Sequence, residues 1–528
     1  MNNFDGIGSN RRPVISFFSF STYHTPMSLP SHLAEMHLEI RGYADEFGLD
    51  YFETIFEMVT QDEMNMVAAY GGFPTRYPHW KWGMSYDSLS KGHTYGLQKI
   101  YELVINTDPC YAYLMDSNGL TDQKLVMAHV YGHCDFFKNN YFFSHTNRRM
   151  LDQMANHASR IRRYIDRFGI EKVEGFIDCC LTLENLIDPN SVFQKKRSVS
   201  PSPSSGSEEP ESKAVPLIPT EKSYLRNFVN PEEFIESQKK LMEEEANRKR
   251  RDPVNPERDV LLFLLERAPL ENWQRDVVSI IRDEAYYFLP QMQTKIMNEG
   301  WASYWHSKIM TTRALKDHEL VDYACSHSGT MGTQPGRINP YKLGIELFRH
   351  IEERWDKGQF GLEWANCDDY ATRSRWDKQL GLGRDKIFEV RKIYNDATFI
   401  AEFLTEDFAR EQKLFTYGVN RKSGDWEIQS REFAEIKSKM IANLTNSGQP
   451  RISVLDANWG NRGELLLLHY HEGVDLQSDW AQDTLSCLFR VWNRPVLIAT
   501  KNEKRGVLLR FDGSEHTEKS STVVEEAA

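Results

Sequence analysis

The chain has 528 residues, enough for two or more hydrophobic cores at roughly 100 to 200 residues per domain. Its 40% hydrophobic and 27% charged residues are those of an ordinary globular protein. A net charge of −12 speaks against a surface devoted to nucleic acid, and seven cysteines without a Cys-x-x-Cys pair speak against a disulfide framework.

No uninterrupted apolar run approaches the ~18 residues of a membrane span, and the start lacks a basic segment leading into a long apolar one. No membrane span and no secretory signal are therefore read, and a cytoplasmic setting is expected. Residues 1–30 are read as a flexible amino-terminal segment. Leu33, Met36, Ile40, Tyr43 and Phe47 recur at helical spacing behind Pro30-Ser31. A second helix is predicted over Tyr51 to Tyr70, ending at Gly71-Gly72-Phe73-Pro74. The aromatic stretch Thr75 to Gly83 reads as a loop, Tyr95 to Ile105 as helix, and Ala112 to Met115 as a short strand before the Asn118-Gly119 turn. A further helix is expected from Thr121-Asp122 onward.

Residues 31–197 and 217–445 form the two parts of an expected helical core. Between them, 198–216 is rich in Ser and Pro and is read as a disordered insertion, because its residues offer nothing to pack. Glu232 to Arg251 is a highly charged helix. Asp259 to Glu266, Trp273 to Ile309 and Lys386 to Gln412 are helix-compatible, with Pro290 starting, kinking or ending one of them. Composition then changes, and 446–512 reads as a small β-rich module with one helix near Trp480 to Trp492, followed by a loose tail over 513–528. The expected class is α+β: a predominantly α-helical main domain and a small β-rich carboxy-terminal module suited to a protein partner.

The chemistry centres on Ala128-His129-Val130-Tyr131-Gly132-His133-Cys134-Asp135. Two histidines four apart on a helix share a face and can reach one ion. Two readings are open: core histidines, each donating to a carbonyl, or two ligands of a divalent metal, zinc being the expected one. A third ligand would come from elsewhere, and Glu299 in Asn298-Glu299-Gly300-Trp301-Ala302-Ser303-Tyr304-Trp305-His306 is the candidate. The set His129, His133 and Glu299 resembles that of the gluzincin metallopeptidases. Those enzymes carry a glutamate after the first histidine to polarise the attacking water, and here that residue is Val130. Asp283 or Glu284 is the candidate replacement base, and His306 or Tyr304 the candidate stabiliser of a developing oxyanion. His306 lies seven residues beyond Glu299, about 10.5 Å along the helix axis, which suits a supporting or substrate-facing role better than direct ligation.

Four blocks are long and unusual. They are Gly71-Gly72-Phe73-Pro74-Thr75-Arg76-Tyr77-Pro78-His79-Trp80, the run from His129-Val130-Tyr131-Gly132-His133 to Asn140, the run from Arg282-Asp283-Glu284-Ala285-Tyr286-Tyr287-Phe288 to His306, and Asn339-Pro340-Tyr341-Lys342-Leu343-Gly344. Together they resemble the stage V sporulation protein R (SpoVR) family, from about Leu33 to the β-rich end. The resemblance implies a bacterial cytoplasmic protein, linked in spore formers to assembly of the spore cortex, and brings no reaction with it. A metal-dependent hydrolase acting on peptide or peptidoglycan-precursor material is one expectation. A non-catalytic regulatory or scaffold protein of sporulation or stress is the other.

Overall fold

The computed structural model describes residues 29–94, 102–194, 230–240, 251–334, 336–420, 424–502 and 505–524. The Ser/Pro-rich 198–216 segment, nearly all of 1–30 and much of the charged 232–251 stretch fall outside them. Helices dominate and the sheets are small, so the fold is α+β and mainly α.

Helix α1 (Ser31–Glu46) begins directly after Pro30. The expected Tyr51 to Tyr70 helix is instead strand β1 (Thr54–Val59) followed by α2 (Gln61–Ala69). The Thr60 and Glu63 side chains form a reciprocal capping box that starts α2 and so ends the strand. Strand β1 pairs in parallel with β3 (Cys110–Met115), a partner some fifty residues away that local periodicity does not reveal. On the other side of β3 lies β2 (Glu102–Ile105), which replaces the expected end of a helix; residues 95–101 are outside the described set. Helix α3 (Trp80–Thr94) takes over part of the expected aromatic loop.

Next come α4 (Leu120–Asn139), α5 (Met150–Phe168) and α6 (Ile170–Thr182), then α7 (Val260–Arg267), α8 (Asn272–Gln293), α9 (Lys295–Ile309), α10 (Leu320–Thr330) and α11 (Pro340–Asp356). Pro290 sits in the last turn of α8, and the chain restarts as α9 after Thr294. The expected single helix over Lys386 to Gln412 is three: α12 (Gly383–Ile393), α13 (Asp396–Phe403) and α14 (Glu406–Glu411). The breaks fall where Asn395 and Thr405 turn their side chains back to accept from Thr398 N and Phe408 N.

A hairpin of β4 (Thr416–Val419) and β5 (Trp426–Ser430) precedes α15 (Phe433–Leu444). The last sheet contains β6 (Arg451–Trp459), β7 (Glu464–Tyr470), β8 (Val496–Asn502), β9 (Arg505–Phe511) and β10 (His516–Ser520), in the order β10-β9-β8-β7-β6. Helix α16 (Ser478–Trp492) links the parallel pair β7 and β8. Two expectations change here. The tail contributes β10, whose His516 stacks on Phe511 with centroids 4.3 Å apart; its sequence, His516-Thr517-Glu518-Lys519-Ser520, has no apolar alternation to announce it. The strands after residue 446, whose alternating pattern leads one to expect a separate layer with its own buried face, instead share a core with the helices. Ile452, Val454, Leu465 and Leu467 pack in one cluster with Ile161, Val277 and Ile281. Leu466, Leu468 and Leu497 cover the opposite face with Val524. A continuous Leu465-Leu466-Leu467-Leu468 run is what a strand buried on both faces requires.

The second large core surrounds α9, which is buried on every side between α4 and α11. Small residues allow these three backbones to approach. A methyl group at Gly132 would lie 2.6 Å from Ala302 Cα, and one at Gly300 would run into Gly344 Cα. Gly300→Ala is expected to cost about 1–3 kcal/mol by overpacking. Gly42→Ala, on a helix with open space around the position, is expected to gain about 0.5–1 kcal/mol. Urea unfolding of the two variants checks the contrast.

The fold should also be acid-sensitive. Burial, followed by the neighbouring Arg354, holds His350 down to about 4, and burial, followed by His471, holds His469 down to about 4. Unfolded histidine titrates near 6.5, so between about 6.5 and about 4 the unfolded chain takes up protons that the folded chain does not. Stability is therefore full above about pH 6.5 and falls as the pH drops toward 4. Urea midpoints at pH 7.5, 5.5 and 4.5 should decrease in that order; a flat profile would remove the argument.

Candidate metal centre

Helix α4 has an almost wholly buried second half, and α9 is buried along its length, yet these two helices carry His129, His133, Asp135, Asn298, Glu299, Ser303 and His306. Buried polar groups need partners, and several of these find them across the α4–α9 interface.

His133 Nδ1 lies 2.9 Å from Asn298 Oδ1, and His129 Nδ1 lies 2.7 Å from His306 Nδ1. His306 Nε2 continues to His327 Nδ1 of α10 at 3.1 Å. One proton assignment satisfies the whole set: His133 donates Nδ1–H to Asn298, His129 donates Nδ1–H to His306, and His306 donates Nε2–H to His327. That assignment leaves the lone pairs of His129 Nε2 and His133 Nε2 on the side facing Glu299. Outer partners on the far nitrogen orient metal-binding imidazoles in the same way. Burial, reinforced by His129 and His327, holds the His306 imidazole well below the usual histidine range, so it is neutral at pH 7.

Glu299 Oε2 is 3.5 Å from His129 Nε2 and 3.4 Å from His133 Nε2. Both separations exceed the 2.7–3.2 Å of ordinary N–H···O bonds, and this buried oxygen accepts no hydrogen bond. Ligand atoms about 2.1 Å from a tetrahedral zinc stand about 3.4 Å apart, which the two distances match. The three ligand atoms all lie within 4.8 Å of one another. The other carboxylate oxygen, Oε1, accepts from Lys295 Nζ at 2.5 Å. Helix α9 is anchored at its start by Asp396, whose carboxylate accepts from Ile296 N at 2.8 Å and Met297 N at 2.9 Å.

The remaining candidates are placed elsewhere. Tyr304 donates to Glu352 Oε2 at 2.5 Å and accepts from Lys308 Nζ at 2.8 Å. Glu284 of α8 is tied to Arg76 Nη2 and lies 3.2 Å from His157 Nδ1, in a different buried cluster. Asp283, on the same turn, is exposed at a cavity of about 380 Å³ lined also by His145 and Arg282. Asp135 does not support the imidazoles; it accepts from Trp301 Nε1 at 2.7 Å and Asp50 N at 2.8 Å and pairs with Arg391. Sequence reasoning missed Asn298 and His327. Asn298 was legible from its place beside Glu299; His327 was not, because its helix is brought in by the fold.

The family model described as "SpoVR like protein" matches residues 28–449, which is most of the chain and ends where the last sheet begins. The chain belongs to the SpoVR family. A protein of Escherichia coli (strain K12) named "Uncharacterized protein YcgB" is 29% identical over 507 residues, covering 89% of this chain and 92% of its own. No solved structure matches. The SpoVR family takes its name from sporulation, and the membership assigns the chain no chemical reaction.

Proposed function

We propose that this SpoVR protein holds one divalent ion, zinc by preference, on His129, His133 and Glu299, and uses it to hydrolyse peptide-like or peptidoglycan-precursor material in the cytoplasm. The observation that carries the reading is the pair of Nε2–Oε2 separations, longer than ordinary hydrogen bonds and matching ligand atoms around a shared ion. Two histidines and a glutamate are the donor set of hydrolytic zinc sites that keep a fourth position for water. Such an ion lowers the pKa of its water toward ~7 and polarises a carbonyl. Asn298 and His306 orient the imidazoles, and Lys295 steadies the carboxylate. The link to peptidoglycan rests on the family's association with the spore cortex.

A second reading is favoured by Val130 and by the partners of Glu284. With Val130 after His129 and Glu284 held by Arg76, the usual base is missing, as expected of an ion that ties α4 to α9 in a regulatory or scaffold protein. The last sheet would then be the surface offered to a protein partner. Metal analysis of protein purified without added metal tests both readings, with about one equivalent of zinc expected. A substoichiometric mixture of metals would end the ion proposal. Restored function from a normally expressed Glu299→Gln variant in a deletion strain would end the catalytic one.

A further inference from the structure

A second cavity, of about 630 Å³, lies where residues 333–334, 336–343 and 412–417 meet α15. We propose that it binds a small organic phosphate: a phosphoryl group carried on an apolar or aromatic body. The proposal is independent of the ion at His129, His133 and Glu299.

The volume falls in the roughly 300–1,000 Å³ range of small-molecule sites. Its charge is the decisive feature. In a chain where 76 acidic residues outnumber 64 basic ones, this cavity is lined by Arg337, Lys342, Lys413 and Lys439 and by no aspartate or glutamate. The four cations come from three separate stretches of chain, so the fold gathers them. Among the described residues none of the four side chains pairs with a carboxylate, whereas Lys124, Arg282, Lys308 and Arg391 of the helical core each do. Lys342 stands in the first turn of α11, where the helix dipole disfavours a cation. Four cations gathered around one cavity, one of them set against that dipole and none with a counterion among the described residues, fit a multiply charged anion.

The floor is of the opposite character. Ile436 and Met440 are buried beneath the cavity, and Phe415 lies along its wall. Lysines act on phosphate as mobile point charges and suit a dianion, while the apolar floor accepts the body of the ligand.

The probe is 1-naphthyl phosphate, titrated into the full chain by fluorescence at low salt, with inorganic phosphate and 1-naphthol as its two halves. Saturable binding is expected, with each half binding roughly tenfold or more weakly. Raising the salt from about 50 mM to about 300 mM should weaken it, as charge attraction requires. A Lys413→Glu, Lys439→Glu double variant should bind about tenfold or more weakly at an unchanged melting temperature, since both residues are exposed. The exposed Lys392→Glu control should bind as the parent does. Metal content should be the same in all three proteins, which separates this site from the ion site. Absence of saturable binding, equal binding by the double variant, or equal affinity for inorganic phosphate would each overturn the proposal.

Discussion

A His129→Ala, His133→Ala double variant should purify folded but nearly free of metal, and Glu299→Gln should bind the ion at least about 100-fold more weakly than the parent. Loss of an outer hydrogen-bond partner alone costs roughly 10- to 100-fold in metal affinity, so loss of a direct ligand should exceed it. Asn298→Ala gives the internal scale: it removes the acceptor 2.9 Å from His133 Nδ1 and should fall in that 10- to 100-fold window. Binding should weaken toward acid, because each imidazole must lose a proton to bind. Competition against a chromophoric chelator, with folding followed by circular dichroism, measures all of these. If the double variant retains the metal content of the parent, the ion lies elsewhere.

The second large effect belongs to Glu284. Its carboxylate is buried with the Arg76 guanidinium, which stacks 4.1 Å from the Trp82 ring and donates to Tyr70 O at 2.8 Å. Burial would raise the Glu284 carboxyl, but Arg76 and His157 outweigh it and hold it below the usual carboxylate value. Glu284→Ala strands a buried guanidinium and should cost about 3–5 kcal/mol. The depressed folded value sets the sign of its pH dependence: the contribution is complete above the unfolded pKa near 4.5 and is lost as the pH falls below it. Urea unfolding and metal titration together test the assignment. A large loss of stability with unchanged metal affinity identifies Glu284 as a structural anion; a stable variant would reopen its candidacy as the base.

Much of this protein could be read along the chain. The helical repeats of Leu33 to Phe47 and of Trp273 to Ile309, the strand-like runs after residue 446, and the pairing of His129 with His133 all follow from local periodicity, which the chain carries in itself. Glu299 was legible because a two-histidine clip needs a third ligand from another helix and this carboxylate sits in an unusual aromatic, helix-compatible block. Tertiary contacts decided the rest. Thr54 to Val59 became a strand because β3 lies alongside it, and His516 to Ser520 because Val507 to Phe511 offers a free edge. Glu284 was drawn away from the histidines by Arg76, and His327 was brought to them on a separate helix. Side-chain spacing along one helix is set by backbone geometry. Which helix faces which is set by the burial of residues hundreds of positions apart, as where Gly132, Gly300 and Gly344 let α4, α9 and α11 close on one another.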